Sequence, residues 1–495
     1  MSSGSGAIAE ATHPDPTLTT AARRDALLVA GAKVLVSLAV LWTGFRAVSD
    51  DDFARVVIAQ RFAHAASFDP SGTSWLPLPF WLTGAVMDVF GTTIDVARAT
   101  AFVLGIAAAV VVHVAARWLG ASRRGALLGA LLACCIPYAA WLGVATVPDY
   151  PTAALILLGA AGAAASPRRR FIASVALAAA CLSRYEAWPV AAAFALFAAW
   201  DAFRRRSWWL CASALVAAAG ALGWMLHGVM AHGDALFFVK RVVAYRRAIG
   251  SAPASLAMRL TAFPLRVLRC EPEVAVVSLA TLGAAVSLGL STELRRYRRA
   301  GILLLALLVF LVVGDLRDGA PTHHAERAVL AIWLAGAVLA GDLGLHVWSA
   351  LQARGRRVFT ALLAAGVALA ALMIRPWFAR RDAFVDRKPE IEVGENARHA
   401  VLPDGGRILI DTPDFAFYAI IAGLGRPSQA VPLDDHDPRH PRPPDPFTST
   451  ATLLARAHAA HARYLIATGA HVLSLPAAGE ILAGSSRYML VRLRP

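Results

Sequence analysis

Ionisable residues are sparse in this chain, so the places where they gather carry information. Asp50, Asp51 and Asp52 stand side by side directly after an apolar run. Three adjacent carboxylates repel one another, so at least one should hold its proton more tightly than an isolated acid unless a cation is near. A carboxylate of raised pKa suits a general base; a solvated loop closing a helix is the plain alternative. Asp149 is the one acid in Thr146-Val147-Pro148-Asp149-Tyr150-Pro151-Thr152, where it is either a helix N-cap or a second acid of the same site. Arg184, Tyr185 and Glu186 interrupt an otherwise apolar stretch from 171 to 200. Charged groups in such a setting are costly and point to function, unless Arg184 and Glu186 simply pair. Further on, Asp315, Arg317 and Asp318 precede His323-His324-Ala325-Glu326-Arg327. Adjacent histidines are not the zinc-helix pattern, which places them four apart. Binding of an anionic group by His324 and Arg327 is the stronger expectation.

Most of the chain that must position these residues is apolar. Of its 495 residues 58% are hydrophobic and 16% charged, and mean hydropathy is +0.56. Apolar runs recur at 26–48, 95–116, 125–146, 207–230, 273–291, 300–314, 327–348 and 358–374. Runs near 20 residues match a lipid hydrocarbon layer of roughly 30 Å, and runs this long and uniform read as helices. The first follows a polar tail over 1–25, expected to be disordered and cytoplasmic, and is too long for a signal-peptide core. The net charge of +15 does not indicate nucleic acid, because the basic residues sit in short clusters between apolar runs. The five cysteines show neither metal spacing nor a disulfide framework.

Charge sets the expected topology. The segment 76–91 is apolar but short, begins with prolines and contains Asp88. If it does not cross the membrane, the arginines at 23–24, 117–124, 168–170, 204–206, 295–299 and 354–357, eighteen in all, fall on the cytoplasmic side, as the positive-inside rule requires. It is therefore read as re-entrant or interfacial. Asp50, Asp51, Asp52, Asp149, Arg184 to Glu186 and the 315–327 segment then all fall at the outer face. The 232–271 loop breaks the rule by carrying seven basic residues outside, Lys240 and Arg241 among them, and so could hold an anionic group. The predicted architecture is a polytopic helical membrane domain of about eleven spans over 26–375, followed by a small soluble non-cytoplasmic α/β domain over 376–495. In the latter, strands are expected at 407–411, 430–433, 464–468 and 488–493, and helices at 414–423, 450–462 and 476–483.

These motifs together resemble the GT-C superfamily of membrane glycosyltransferases, the polyprenyl-phosphate-sugar-dependent mannosyl and aminoarabinose transferases in particular. The resemblance rests on an acidic pair after the first helix, matched by Asp50 to Asp52, and on a long first outer loop with the Pro-Leu-Pro of 77–79. It rests further on a second acid, Asp149, on the Arg-Tyr-Glu-x-Trp of 184–188, and on His323 and Arg327 at the ends of a late outer motif whose middle differs. It covers about 26–375. It implies transfer of a sugar, with inversion, from a polyprenyl-phosphate carrier to a lipid, glycan or protein acceptor at the non-cytoplasmic face of the inner or plasma membrane. Because phosphate leaves readily, such a reaction needs a base for the acceptor and positive charge for the departing group. Asp51 is the expected base, with Asp50 or Asp52 positioning and Asp149 next in promise. Arg184, Lys240 and Arg241 are expected to hold phosphate, with Tyr185, Glu186, His323, His324 and Arg327 lining the substrate site. No cofactor is expected, and a divalent cation is left open. A transporter or flippase of lipid-linked glycans is the competing reading; it would favour charges at mid-membrane and inverted repeats, and neither is evident.

Overall fold

The computed structural model describes residues 20–250, 255–319, 324–381, 384–401, 405–474 and 476–494. The helices α1 (Thr20–Trp42), α2 (Asp50–His64), α3 (Leu78–Phe90) and α4 (Ile94–Trp118) come first, followed by α5 (Arg123–Cys135), α6 (Pro137–Leu142), α7 (Asp149–Gly162), α8 (Pro167–Cys181), α9 (Ala187–Arg205) and α10 (Trp208–His232). Next come α11 (Phe237–Ile249), α12 (Leu256–Arg269), α13 (Pro272–Ser287), α14 (Ser291–Leu316), α15 (Leu330–Ala350) and α16 (Ala353–Arg381). Among the described residues, α1, α4, α10, α14 and the continuous segment 325–350 are long and apolar enough to cross a membrane. The pair α12 and α13, bent by 89° at its break, makes a sixth if it is one span. The expectation of about eleven spans therefore also rests on α5, α7, α8 and α9, which run to only 13–19 residues, and on α16.

Two stretches differ from their sequence reading. The polar segment after the first span is not an open loop: residues 50–64 form α2, because its acids favour a helix N-terminus and Phe53, Val56 and Val57 recur on one buried face. The basic 232–271 loop is largely α11 and α12, whose cations meet acids: Lys240 pairs with Asp234 at 2.8 Å, Arg246 with Asp315 at 3.0 Å and Arg259 with Asp318 at 2.9 Å. Three of the seven basic residues that departed from the expected positive-inside pattern are thus charge-paired. The short 76–91 segment is α3, which packs on α2.

Residues 388–493 form an α/β unit. Helix α17 (Lys388–Val401) precedes β1 (Arg407–Ile410), α18 (Phe417–Leu424), β2 (Ala430–Pro432), α19 (Thr450–Ala459), β3 (Ala462–Thr468), β4 (Gly479–Gly484) and β5 (Tyr488–Leu493). The sheet order is β2-β1-β3-β5-β4, parallel between β1 and its neighbours and antiparallel across β3, β5 and β4. The helix expected at 476–483 is instead a single turn followed by β4. Its Ala-rich sequence suits a helix, but a tight turn at 485–488 returns the chain against β5, and sheet pairing overrides local propensity. Gly479 allows that approach, since a Cβ there would lie 2.1 Å from the Arg492 carbonyl.

This unit is not a loose appendage. One apolar core joins Phe53, Val56 and Val57 of α2 to Val393, Ile408, Phe417, Ile420 and Ile421. Gln60 of α2 donates to the carbonyl of Ala422 at 2.7 Å.

Candidate active site

Charged residues form two networks at opposite ends of the same helices. At one end, Arg123 grips Asp25 through two hydrogen bonds of 2.6 and 2.9 Å. Arg170 and Arg299 share Asp201 at 2.5 Å each, and Asp342 takes Arg296, the Tyr297 hydroxyl at 2.7 Å and the Ser122 amide at 2.9 Å. Helix α7 runs from Asp149 to the Ala163 carbonyl that Arg299 reaches at 2.9 Å. At about 1.5 Å per residue, its 14 residues put Asp149 roughly 20 Å away, in the second network.

That second network is built on α2. The turn entering α2 and the loop before α7 are tied by Asp52, which is 2% exposed. One carboxylate oxygen of Asp52 accepts the Val48 and Ser49 amides at 3.2 Å; the other accepts the Thr146 amide at 3.1 Å. Burial pushes the Asp52 carboxyl up to about 6, against the pull of Arg327 and of the backbone donors. One of the three adjacent acids does rise, as their repulsion suggests, but burial is the larger cause and the Asp51 charge a lesser one. Asp50 turns the other way and is held by Arg387 through two bonds of 2.9 Å. Asp51 keeps 43% of its side chain exposed and meets Arg327 at 3.4 Å. The three neighbours thus do three things: one builds backbone, one ties a distant segment, and one faces open space beside a cation.

Arg327 is the hub. It is 7% exposed, donates to the His324 carbonyl at 3.4 Å and stands 3.9 Å from Asp149. Asp149 heads α7 without capping it; its carboxylate lies between Arg327 and Arg184, the latter at 2.6 Å. Arg184 also contacts Glu186, so two acids take up its charge. The expected Arg184–Glu186 pair forms, and Arg184 meets Asp149 as well. Tyr185 donates its hydroxyl to the Ser74 carbonyl at 2.7 Å and stacks on Phe238 at 4.3 Å, fastening the segment between α2 and α3. His324 lies 3.4 Å from Glu326, which accepts the Tyr138 hydroxyl at 2.9 Å. His323 lies outside the described residues. Lys240 is well exposed, and Arg241 donates to the Gly72 carbonyl at 2.6 Å, so Arg241 supports the segment between α2 and α3 while Lys240 serves its own helix start.

Two residues at this site were missed in the sequence. Arg55 sits four residues after Asp51, on the same face of α2. Its guanidinium lies over Trp75 at 4.5 Å and Phe80 at 5.7 Å, and its buried Nε has no hydrogen-bond partner among the described residues. The spacing was readable once 50–64 is a helix. Arg387 had no signal, because its partner is 337 positions away. For a metal, the donor atoms of Asp69, His227 and His232 lie within 4.8 Å of one another, at the C-terminal end of α10.

The chain shares its fold with the solved structures of ArnT. It is similar over 94% of its length to ArnT from Cupriavidus metallidurans bound to undecaprenyl phosphate, with TM-score 0.57, 15% identity and 97% of that chain covered. The apo state of the same protein gives TM-score 0.58 at 16% identity, over 95% of this chain and 98% of that one. Residues 71–227 match the family model described as dolichyl-phosphate-mannose-protein mannosyltransferase. No curated protein matches the chain by sequence.

Proposed function

We propose that this protein is an inverting glycosyltransferase of the non-cytoplasmic membrane face, taking a sugar from a polyprenyl-phosphate carrier and using Asp51 as general base. One observation carries the reading: of the three adjacent acids, Asp51 is the one left open while its neighbours are committed, and it stands 3.4 Å from a buried arginine. In the reaction the acceptor hydroxyl or amine attacks the anomeric carbon, its proton passes to Asp51, and the bond to the carrier phosphate breaks with its electron pair on phosphate. Arg327 and Arg55 are the cations placed to stabilise that charge. Arg55 suits the task because stacking, rather than a bonded carboxylate, holds it, and a guanidinium grips phosphate through paired N–H groups. Asp149 and Glu186 fix Arg184 and Arg327 in position. The C-terminal unit walls the outer side. The ArnT structure bound to undecaprenyl phosphate supports the choice of carrier. Mass spectrometry of glycolipids and glycoproteins from a deletion strain tests the proposal: one sugar modification should vanish and return on complementation, and an unchanged glycan profile in a strain that expresses the protein would contradict it.

A further inference from the structure

A bidentate ion pair between the membrane domain and the C-terminal unit ends on the residue next to the proposed base. Arg387, just before α17, directs Nε and one terminal nitrogen at the two oxygens of Asp50, each at 2.9 Å. The fork is itself held from behind. Its remaining nitrogen bonds Asp414 at 3.2 Å and lies 3.8 Å from Glu390. Glu390, 1% exposed, takes a second arginine, Arg487, at 3.0 Å. Arg387 is 14% exposed and Asp50 22%, so the pair is partly shielded from solvent. A bidentate pair in such a setting fixes orientation as well as charge. Asp50 is the first residue of α2, and its neighbour Asp52 already ties the same turn to Thr146. Between these two anchors stands Asp51, whose side chain has, among the described residues, only the 3.4 Å contact to Arg327. Nothing else among the described residues bonds the Asp50 carboxylate.

We infer that Arg387 is a positioning residue for the transfer: by clamping and neutralising Asp50 it holds the first turn of α2, and with it Asp51, in the orientation the acceptor needs. The C-terminal unit thereby becomes part of the catalytic apparatus without touching substrate. This rests on the glycosyl-transfer reading above. It also explains why the shared core alone does not suffice. Apolar packing of Phe53, Val56 and Val57 sets the depth of α2, whereas Asp51 lies beyond that packed face and needs a directional bond to fix it. Two effects follow from losing Arg387. The turn gains freedom, and an uncompensated Asp50 charge is left one residue from Asp51.

A double-mutant cycle on the full-length protein tests this. The variants are Arg387→Ala, Arg387→Lys, Asp50→Asn and the Asp50→Asn/Arg387→Ala double, each assayed for product by mass spectrometry in the complemented deletion strain at matched expression. Each is also assayed for binding of undecaprenyl phosphate after purification. Arg387→Ala should lower product formation by about 10- to 100-fold while leaving undecaprenyl phosphate affinity within about twofold, because Arg387 does not join the cations around Asp51. Arg387→Lys should recover part of the loss. The double variant should match Asp50→Asn within about threefold, since removing both charges deletes one shared interaction. Strictly additive losses, or a loss that appears only as weaker carrier binding, would overturn the inference. So would full activity of Arg387→Ala. If wild type restores product and Arg387→Ala equals it, positioning alone fails; if wild type forms no glycosylated product at all, the reading of function fails with it.

Discussion

The two ends of the helical domain use the same residue types and arrive at different arrangements. At the end that holds Asp25, Asp201 and Asp342, each carboxylate meets bonded arginine partners and is closed off from solvent: Asp201 and Asp342 are buried at 5% and 0% exposure. At the end that holds Asp51, pairing is deliberately incomplete. Neither oxygen of Asp149 has a well-formed hydrogen bond among the described residues although Arg184 stands 2.6 Å away, and Asp51 stays 43% exposed; a buried, unpartnered arginine Nε occurs at both ends, on Arg55 here and on Arg296 beside Asp342. Closed ion pairs at helix ends fix helices against one another and leave no capacity to receive a ligand. Open ones cost folding free energy and are retained where a substrate supplies the missing partner. Completeness of pairing, rather than the count of charges, separates the structural network from the candidate site.

That contrast can be broken by exchanging insults between the two ends. Of the changes to charge pairing at the two ends, Arg327→Ala should be the most severe, lowering product formation by about 10²–10³, the usual loss when one preorganised charge is withdrawn from a developing anion. Arg55→Ala should weaken undecaprenyl phosphate binding by about 10- to 100-fold, the value of a charge-assisted bond, with a smaller change in thermal stability because no bonded partner is lost. Asp201→Asn should behave oppositely: destabilisation of about 3–5 kcal/mol from two arginines left uncompensated, read as a lower melting temperature, but normal turnover per folded molecule. If Asp201→Asn abolished turnover in protein that remains folded, or Arg55→Ala did nothing to carrier binding, the two networks would not differ as described.

The smallest expected effect is a pH slope. Asp52 has a folded-state value near 6, raised by burial above its ordinary range. A raised carboxylate penalises the ionised fold, so wild type should lose stability as pH climbs from about 4 to 6 and stay level above that. Asp52→Asn has no such group, and the difference in melting temperature between the two proteins should change across that window only. A difference that is flat from pH 4 to 7 would mean that the backbone amides and Arg327 hold Asp52 ionised throughout.

How far the sequence revealed this molecule depends on the range of the interaction involved. Five of the eight apolar runs fall on helices long and apolar enough to cross a membrane, while the run at 125–146 breaks at Ile136 into α5 and α6; the alternation after 376 read as strands and helices, because both signals are local. The acids of the candidate site were legible as well, since charge is conspicuous in a chain that is 16% charged. What failed was medium-range competition: Ala-Gly-Glu-Ile-Leu-Ala at 478–483 has helix propensity, and only pairing with β5 makes it a strand. The division of labour among Asp50, Asp51 and Asp52 was beyond reach altogether, as it is decided by Arg387, Arg327 and Thr146, which lie far along the chain. Arg55 lay within reach. Its spacing from Asp51 is one helical turn, hidden only by reading 50–64 as a polar loop.

The measurement that bears most directly on the central claim compares Asp51→Asn with Asp50→Asn and Asp52→Asn, each in matched membranes, for sugar transfer and for binding of undecaprenyl phosphate. Asn keeps the size of Asp and cannot take a proton. Transfer by Asp51→Asn should fall by about 10²–10⁴, the usual worth of a general base, with carrier binding intact and no loss of folded protein, while Asp50→Asn and Asp52→Asn lose less. Near-normal transfer by Asp51→Asn would contradict the account and move the search for the base to Asp149.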